Sequence, residues 1–176
     1  MSAVKMIDRL ATTKAMLIIV ALYAVVFGAI LFTLSQLTVV SGGYGILDFD
    51  FGYDMARVDN VLGSYGSKGM ALYGRIQILD LFNPALYSLI AAIFTRLVWR
   101  GQGPDWLCLV PLLGGFGDYA ENITLFLMAH AYPDVSSKMV AVSSTLSFVK
   151  NGLIAVGVLV LLAGFALRMA QYLRRA

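Results

Sequence analysis

Apolar residues along the chain gather into four long blocks separated by short polar stretches. The blocks predict spanning helices over about residues 15–40, 70–99, 105–131 and 140–170, since roughly 20 apolar residues cross a hydrocarbon slab about 30 Å thick. Lys5, Arg9 and Lys14 precede the first block, as they would a secretory signal. The block is longer than the roughly 7–15 apolar residues of a signal and no small-x-small cleavage site follows, so it reads as a retained span. Within it Ala21, Ala24 and Gly28 recur at helical spacing and predict a flat stripe against which another helix packs.

Between the first two blocks lies the one sizeable polar region, an outer loop over residues 41–69. Ser41-Gly42-Gly43 marks a turn, the alternation Ile46-Leu47-Asp48-Phe49-Asp50-Phe51 predicts a short extended piece, and Asp54 is placed to cap a helix carrying Met55, Val58 and Leu62. The second block opens with Arg75, Asp80, Asn83 and Pro84. Pro84 either starts a helix with Asn83 as its cap or kinks one by freeing the carbonyl of Asp80.

Charge orients the blocks. The N-terminal segment, the Trp99–Pro104 turn and the C-terminal Arg168, Arg174 and Arg175 are basic, whereas the long loop carries Asp48, Asp50, Asp54 and Asp59. By the positive-inside rule both ends are expected in the cytoplasm and the loop outside. The expected fold is therefore an all-α integral membrane protein, a four transmembrane helix bundle with one folded extracytoplasmic loop between helices 1 and 2. It forms a single membrane domain over residues 1–176. Composition agrees: 60% of the residues are hydrophobic and 13% charged, against roughly 45–50% and about 25% in soluble domains. The net charge of +3 reports topology rather than nucleic-acid binding.

Other residues exclude familiar chemistries. Cys108 is the only cysteine, which rules out an intramolecular disulfide and a thiolate metal cluster. His130 is the only histidine and stands where the third span ends, so a histidine-ligated haem or zinc site is not available within one chain. The Asp48-x-Asp50 pair lacks the glycine and closing glutamate of a calcium loop. No metal and no cofactor is expected.

What remains is an intrusion of polar groups into hydrocarbon. In the third block positions 111, 114, 115, 118, 121, 122 and 125 share one helical face and read Pro, Gly, Gly, Asp, Glu, Asn, Leu, while Leu112, Phe116, Ile123 and Phe126 lie opposite. Ser143, Ser147, Lys150 and Asn151 share a face of the fourth block, and Asp80, Asn83 and Tyr87 one of the second. At 1.5 Å per residue these groups reach similar depths. They predict a buried network of Asp80, Asn83, Asp118, Glu121, Asn122, Lys150 and Asn151, with Arg75 near its outer rim. A Ser–Lys pair near Lys150 and a carboxylate dyad of Asp80 and Asp118 are the catalytic alternatives.

The combination Tyr73-Gly74-Arg75, Leu79-Asp80-Leu81, Asn83-Pro84 and Gly117-Asp118-Tyr119-Ala120-Glu121-Asn122 resembles small bacterial four-span integral membrane proteins of unassigned function. That resemblance implies a bacterial inner (plasma) membrane setting and carries over no catalytic role. Intramembrane charges usually mark a pathway, a relay or a ligand counter-ion, although interhelical polar contacts also fasten helices together. The leading expectation is a non-catalytic protein that binds or passes a lipid, small ligand, proton or ion at the polar level, with Glu121 and Lys150 as the principal charge pair. The alternatives are an accessory or structural subunit of a larger membrane complex, or an intramembrane enzyme acting on a lipid or peptide through paired carboxylates. Membrane lipids are the expected partners, with a homo-oligomer or larger complex as a further possibility.

Overall fold

Helix dominates the computed structural model, which describes residues 2–174, and no strand forms among those residues. The helices are α1 Ala3–Leu10, α2 Thr13–Val40, α3 Met55–Asp80, α4 Asn83–Trp99, α5 Val110–Ala131 and α6 Ser137–Leu173, with 3-10 turns at Leu47–Phe49 and Asp105–Leu109. Local chemistry sets their starts. The side-chain oxygens of Thr12, Asp54 and Ser136 accept from the backbone N–H groups of Ala15, Arg57 and Met139, satisfying donors that the first helical turn leaves free.

Three stretches are long and apolar enough to cross a membrane: Thr13–Val40, Met55–Trp99 and Ser137–Leu173. The predicted third span is helical as α5, but its carboxylates and glycines lower its apolar content and it does not join that group. Leu17, Val25 and Phe32 of α2 and Phe148, Leu159 and Phe165 of α6 all face outward. In water such faces drive association, whereas hydrocarbon accepts them at no cost.

Several local expectations are corrected. The 41–69 loop is shorter than predicted, because Asp54 caps α3 and the helix begins at Met55. Gly66, at φ 54°, breaks α3 in a conformation that side chains with a β-carbon resist. The predicted extended piece is a 3-10 turn that buries Ile46 and Leu47. Pro84 stands in the first turn of α4, as one reading required, but Asn83 does not cap it: Phe82 occupies the cap position and the Asn83 amide turns back to Asp80. Ala21, Ala24 and Gly28 are exposed, and among the described residues no atom stands within 4 Å of a β-carbon added at Gly28, so the predicted stripe is not covered by another helix there.

Two apolar clusters flank a polar layer. One joins Leu37, Leu47, Val61, Tyr65, Leu125 and Met128, and the other joins Ile7, Ile19, Ala92, Ile93 and Cys108. Beyond the second cluster Arg96 pairs with Asp8 at 2.8 Å and with Asp105, Trp99 Nε1 donates to the Val160 carbonyl at 2.9 Å, and Arg168 donates to the Arg100 carbonyl at 2.8 Å. These contacts tie α1, the end of α4 and α6 together at the basic end.

Close approach of helices to α5 depends on its glycines. A β-carbon at Gly115 would stand 2.6 Å from Ser88 Oγ and 3.0 Å from the Pro84 carbonyl oxygen, and one at Gly117 would stand 3.2 Å from Lys150 Cα. Gly115→Val is therefore expected to lower stability by about 1–3 kcal/mol through overpacking, while Gly28→Val leaves it unchanged or raised. Thermal unfolding in detergent measures both, and equal midpoints for the two variants would refute the packing account.

Candidate functional site

The helical period of α5 builds the site. Pro111, Gly114, Gly115, Asp118, Glu121 and Leu125 are buried and Asn122 is half-buried, while Phe116 and Ile123 on the far side are 69% and 62% exposed. The face read from the sequence is thus the face turned inward. Glu121 is fully buried. Its carboxylate meets the Lys150 ammonium from α6, which also lies 3.6 Å from Asp118 Oδ1 and donates to the Asp48 carbonyl oxygen at 3.2 Å. Asp118 Oδ2 accepts from the Tyr87 hydroxyl of α4 at 3.0 Å.

A second node lies beside the first. Asp80, at the end of α3, accepts from Asn83 Nδ2 at 2.8 Å and from Asn122 Nδ2 at 2.7 Å. The Tyr119 hydroxyl donates to the Leu81 carbonyl at 2.7 Å, so the α3–α4 break is fastened to α5. The segment between α2 and α3 then closes over both nodes. Ser147 Oγ donates to the Asp50 carbonyl at 2.7 Å, the Tyr53 N–H donates to Ser144 Oγ at 2.9 Å, and the Tyr53 hydroxyl bonds Ser143 Oγ at 2.7 Å. The serines that the sequence places on one face of α6 therefore hold this roof. Asp50 itself pairs with Arg57 at 2.8 Å.

The structure brings together Asp80, Asn83, Asp118, Glu121, Asn122 and Lys150. It does not bring in Asn151, whose amide donates to the Ser147 carbonyl of its own helix, or Arg75, which is exposed and has no ion pair among the described residues. Lys150 is engaged by two carboxylates and Ser147 by a backbone carbonyl, while Asp80 and Asp118 are held by different partners. Asp48, Gln77 and Tyr119 were not foreseen in the site. Gln77 had a legible signal, standing three residues before Asp80 on the same helical face. Asp48 had a weaker one, an acid flanked by apolar residues within a loop.

These residues line a cavity of about 370 Å³ between the end of α3 and α5. Asp48, Gln77, Asp80 and Asn122 form its polar side, and Leu81, Ile123, Phe126 and Leu127 form an apolar side that is exposed on the surface of the bundle. Asp48 is half-buried and lines this cavity. Burial therefore pushes the Asp48 carboxyl up to about 8; the Lys150 ammonium opposes the shift and the nearby carboxylates of Glu121, Asp80 and Asp118 add to it.

A carboxyl with a raised folded pKa keeps its proton while the unfolded chain has released it. Its contribution to stability therefore declines as pH rises from about 4 to about 8. The wild-type unfolding midpoint is expected to fall across that window, and less steeply in Asp48→Asn. Parallel pH profiles of the two proteins would contradict the burial of Asp48.

Comparison with protein-family profiles, with curated proteins and with solved structures gives no match, so the chemistry of this site rests on its own residues.

Proposed function

We propose that the protein crosses the membrane four times and binds an amphipathic ligand at its buried polar layer, without catalysis. α2, the joined α3–α4, α5 and α6 are the crossings. The termini lie in the cytoplasm, the 41–54 segment lies outside, and the membrane is a bacterial inner membrane. Several observations support this arrangement. The 22 residues of α5 extend about 33 Å, close to the thickness of the hydrocarbon. Lys5, Arg9, Arg100 and Arg168 stand at one end and Asp48, Asp50, Asp54 and Asp59 at the other.

The observation that carries the ligand reading is the cavity's two-sidedness. Its mouth opens sideways between exposed apolar side chains, on the surface offered to hydrocarbon, and its depth is lined by carboxylates and amides. A site of that kind admits a molecule dissolved in the membrane and holds its polar end. Binding is favoured over passage because the polar layer ends blind. Past Ser88 the interior is filled by Ile19, Ala92, Ile93 and Cys108. Among the described residues charge returns only at Arg96, Asp8 and Asp105.

A second reading, a subunit of a larger complex or a homo-oligomer, is favoured by the uncovered Ala21, Ala24 and Gly28 stripe on α2.

Lipids retained after extraction into nanodiscs, identified by native mass spectrometry, test the ligand reading. Wild type is expected to hold a stoichiometric amphiphile, and Ile123→Trp, which fills the mouth, to lose it. Asp80→Asn, which changes an acid lining the cavity and leaves the Glu121–Lys150 pair intact, is expected to stay folded yet retain about tenfold less. Identical retention by all three proteins would sink the proposal.

A further inference from the structure

The cavity has an unbalanced charge. Asp48 and Asp80 line it, and Asp118 and Glu121 stand behind it. Among the described residues the one ammonium at this level is Lys150, already shared between Asp118 and Glu121. Asp80 is held by two neutral amides, and Asp48 has no ion pair among the described residues. On the loop side Arg57 is taken by Asp50, and Arg75 of α3 is turned outward and does not line the cavity. Four carboxylates facing one ammonium away from water are stable together only if protons or a further cation neutralise the excess.

Resting on the reading that the cavity holds a ligand, we propose that this ligand is a cationic amphiphile, its ammonium head between Asp48 and Asp80 and its hydrocarbon chain leaving past Leu81 and Ile123. An anionic head would meet two carboxylates and no lining cation. A neutral alcohol would fill the space but leave the balance to bound protons, whereas an ammonium lets the two lining carboxyls release them. Tyr73, Tyr119 and Phe126 also line the cavity, and aromatic surfaces favour cations over anions. The volume of about 370 Å³ accommodates a head group and its first methylenes, with the rest of the chain in lipid. A free alkyl amine suits the site better than an ethanolamine phospholipid, whose phosphate would stand beside the same carboxylates.

The test titrates the full chain in a nonionic maltoside with dodecylammonium, dodecanol and dodecanoate by calorimetry. Ile123→Trp serves as the blocked reference that subtracts partition into micelles. The expected result is saturable one-site binding of dodecylammonium, at least about tenfold tighter than dodecanol, with no saturable binding of dodecanoate. Asp48→Asn and Asp80→Asn should each weaken the ammonium by about tenfold and leave dodecanol nearly unchanged. The two variants lie on different elements, so a folding failure in one leaves the other to decide. Dodecanol or dodecanoate binding as tightly as the ammonium overturns the charge assignment while sparing the cavity as a ligand site. A phosphatidylethanolamine that outcompetes dodecylammonium overturns the free-amine assignment. No saturable binding of any amphiphile, with wild type and Ile123→Trp alike, removes both proposals.

Discussion

The Glu121–Lys150 ion pair is the constraint on which the surrounding structure depends. Removing two charges from water costs several kcal/mol per ion after relaxation, and a pair repays this only when its geometry is good and its remaining polar sites are engaged. The neighbours meet that requirement on the Lys150 side, while Glu121 Oε1 has no hydrogen-bond partner among the described residues. Asp118 stands 3.6 Å from the same ammonium and is held by Tyr87, and the Asp48 carbonyl takes a further hydrogen bond from Lys150 at 3.2 Å. A lysine so far inside a helical bundle thus organises α4, α5, α6 and the segment that follows α2. The same low dielectric that makes the pair expensive makes it discriminating, because a different packing of these helices would leave one charge without its partner.

Such a pair forms only if the backbones come close. Gly114 faces Ile154, Gly115 faces Ser88 and Pro84, and Gly117 faces Lys150, each at a distance that a β-carbon would obstruct or crowd. The carboxylates and the glycines of α5 are therefore two parts of one arrangement: the small residues set the separation at which the polar ones meet. This resolves an ambiguity in the sequence, where the glycines suit either a packing seam or space for a ligand. They are the seam, and the space lies elsewhere, between α5 and the end of α3.

Much of this was legible in the residues. The period of α5 identifies its buried face correctly at positions 111, 114, 115, 118, 121 and 125, because 3.6 residues per turn is a property of the chain alone. The depth of Lys150 follows from rise per residue, and its encounter with Glu121 follows from that depth. What escaped the sequence depended on where irregular backbone goes. Asp48 sits in a loop whose composition reads as aqueous, yet its neighbours Ile46 and Leu47 are buried and Asp48 lines the cavity between α5 and the end of α3. Periodicity has no purchase on a turn of three residues, and the sign of Asp48's environment is set by contacts more than 100 positions away in the chain, as with Lys150. Arg75 and Asn151 escaped for the opposite reason. A shared helical face placed Asn151 in the network and helical depth placed Arg75 near its rim, but Arg75 is turned outward and the Asn151 amide finds a carbonyl on its own helix.

The cavity itself has a simple local origin. Asn83-Pro84 cannot continue α3, since proline lacks the N–H that the helix would use and its ring crowds the preceding turn. At Leu81 and Phe82 the backbone stays in the right-handed helical region, but their N–H groups donate three residues back, to Ile78 and Leu79, before the regular ladder resumes in α4, with Asn83 and Asn122 both turned onto Asp80 and Tyr119 holding the Leu81 carbonyl. This interruption leaves backbone and carboxylate groups at the bottom of an opening whose rim, Leu81, Ile123, Phe126 and Leu127, remains apolar. The helix break and the ion pair thus divide the work: the pair fixes α5 and α6 in register, and the break gives the polar layer one side that faces the hydrocarbon.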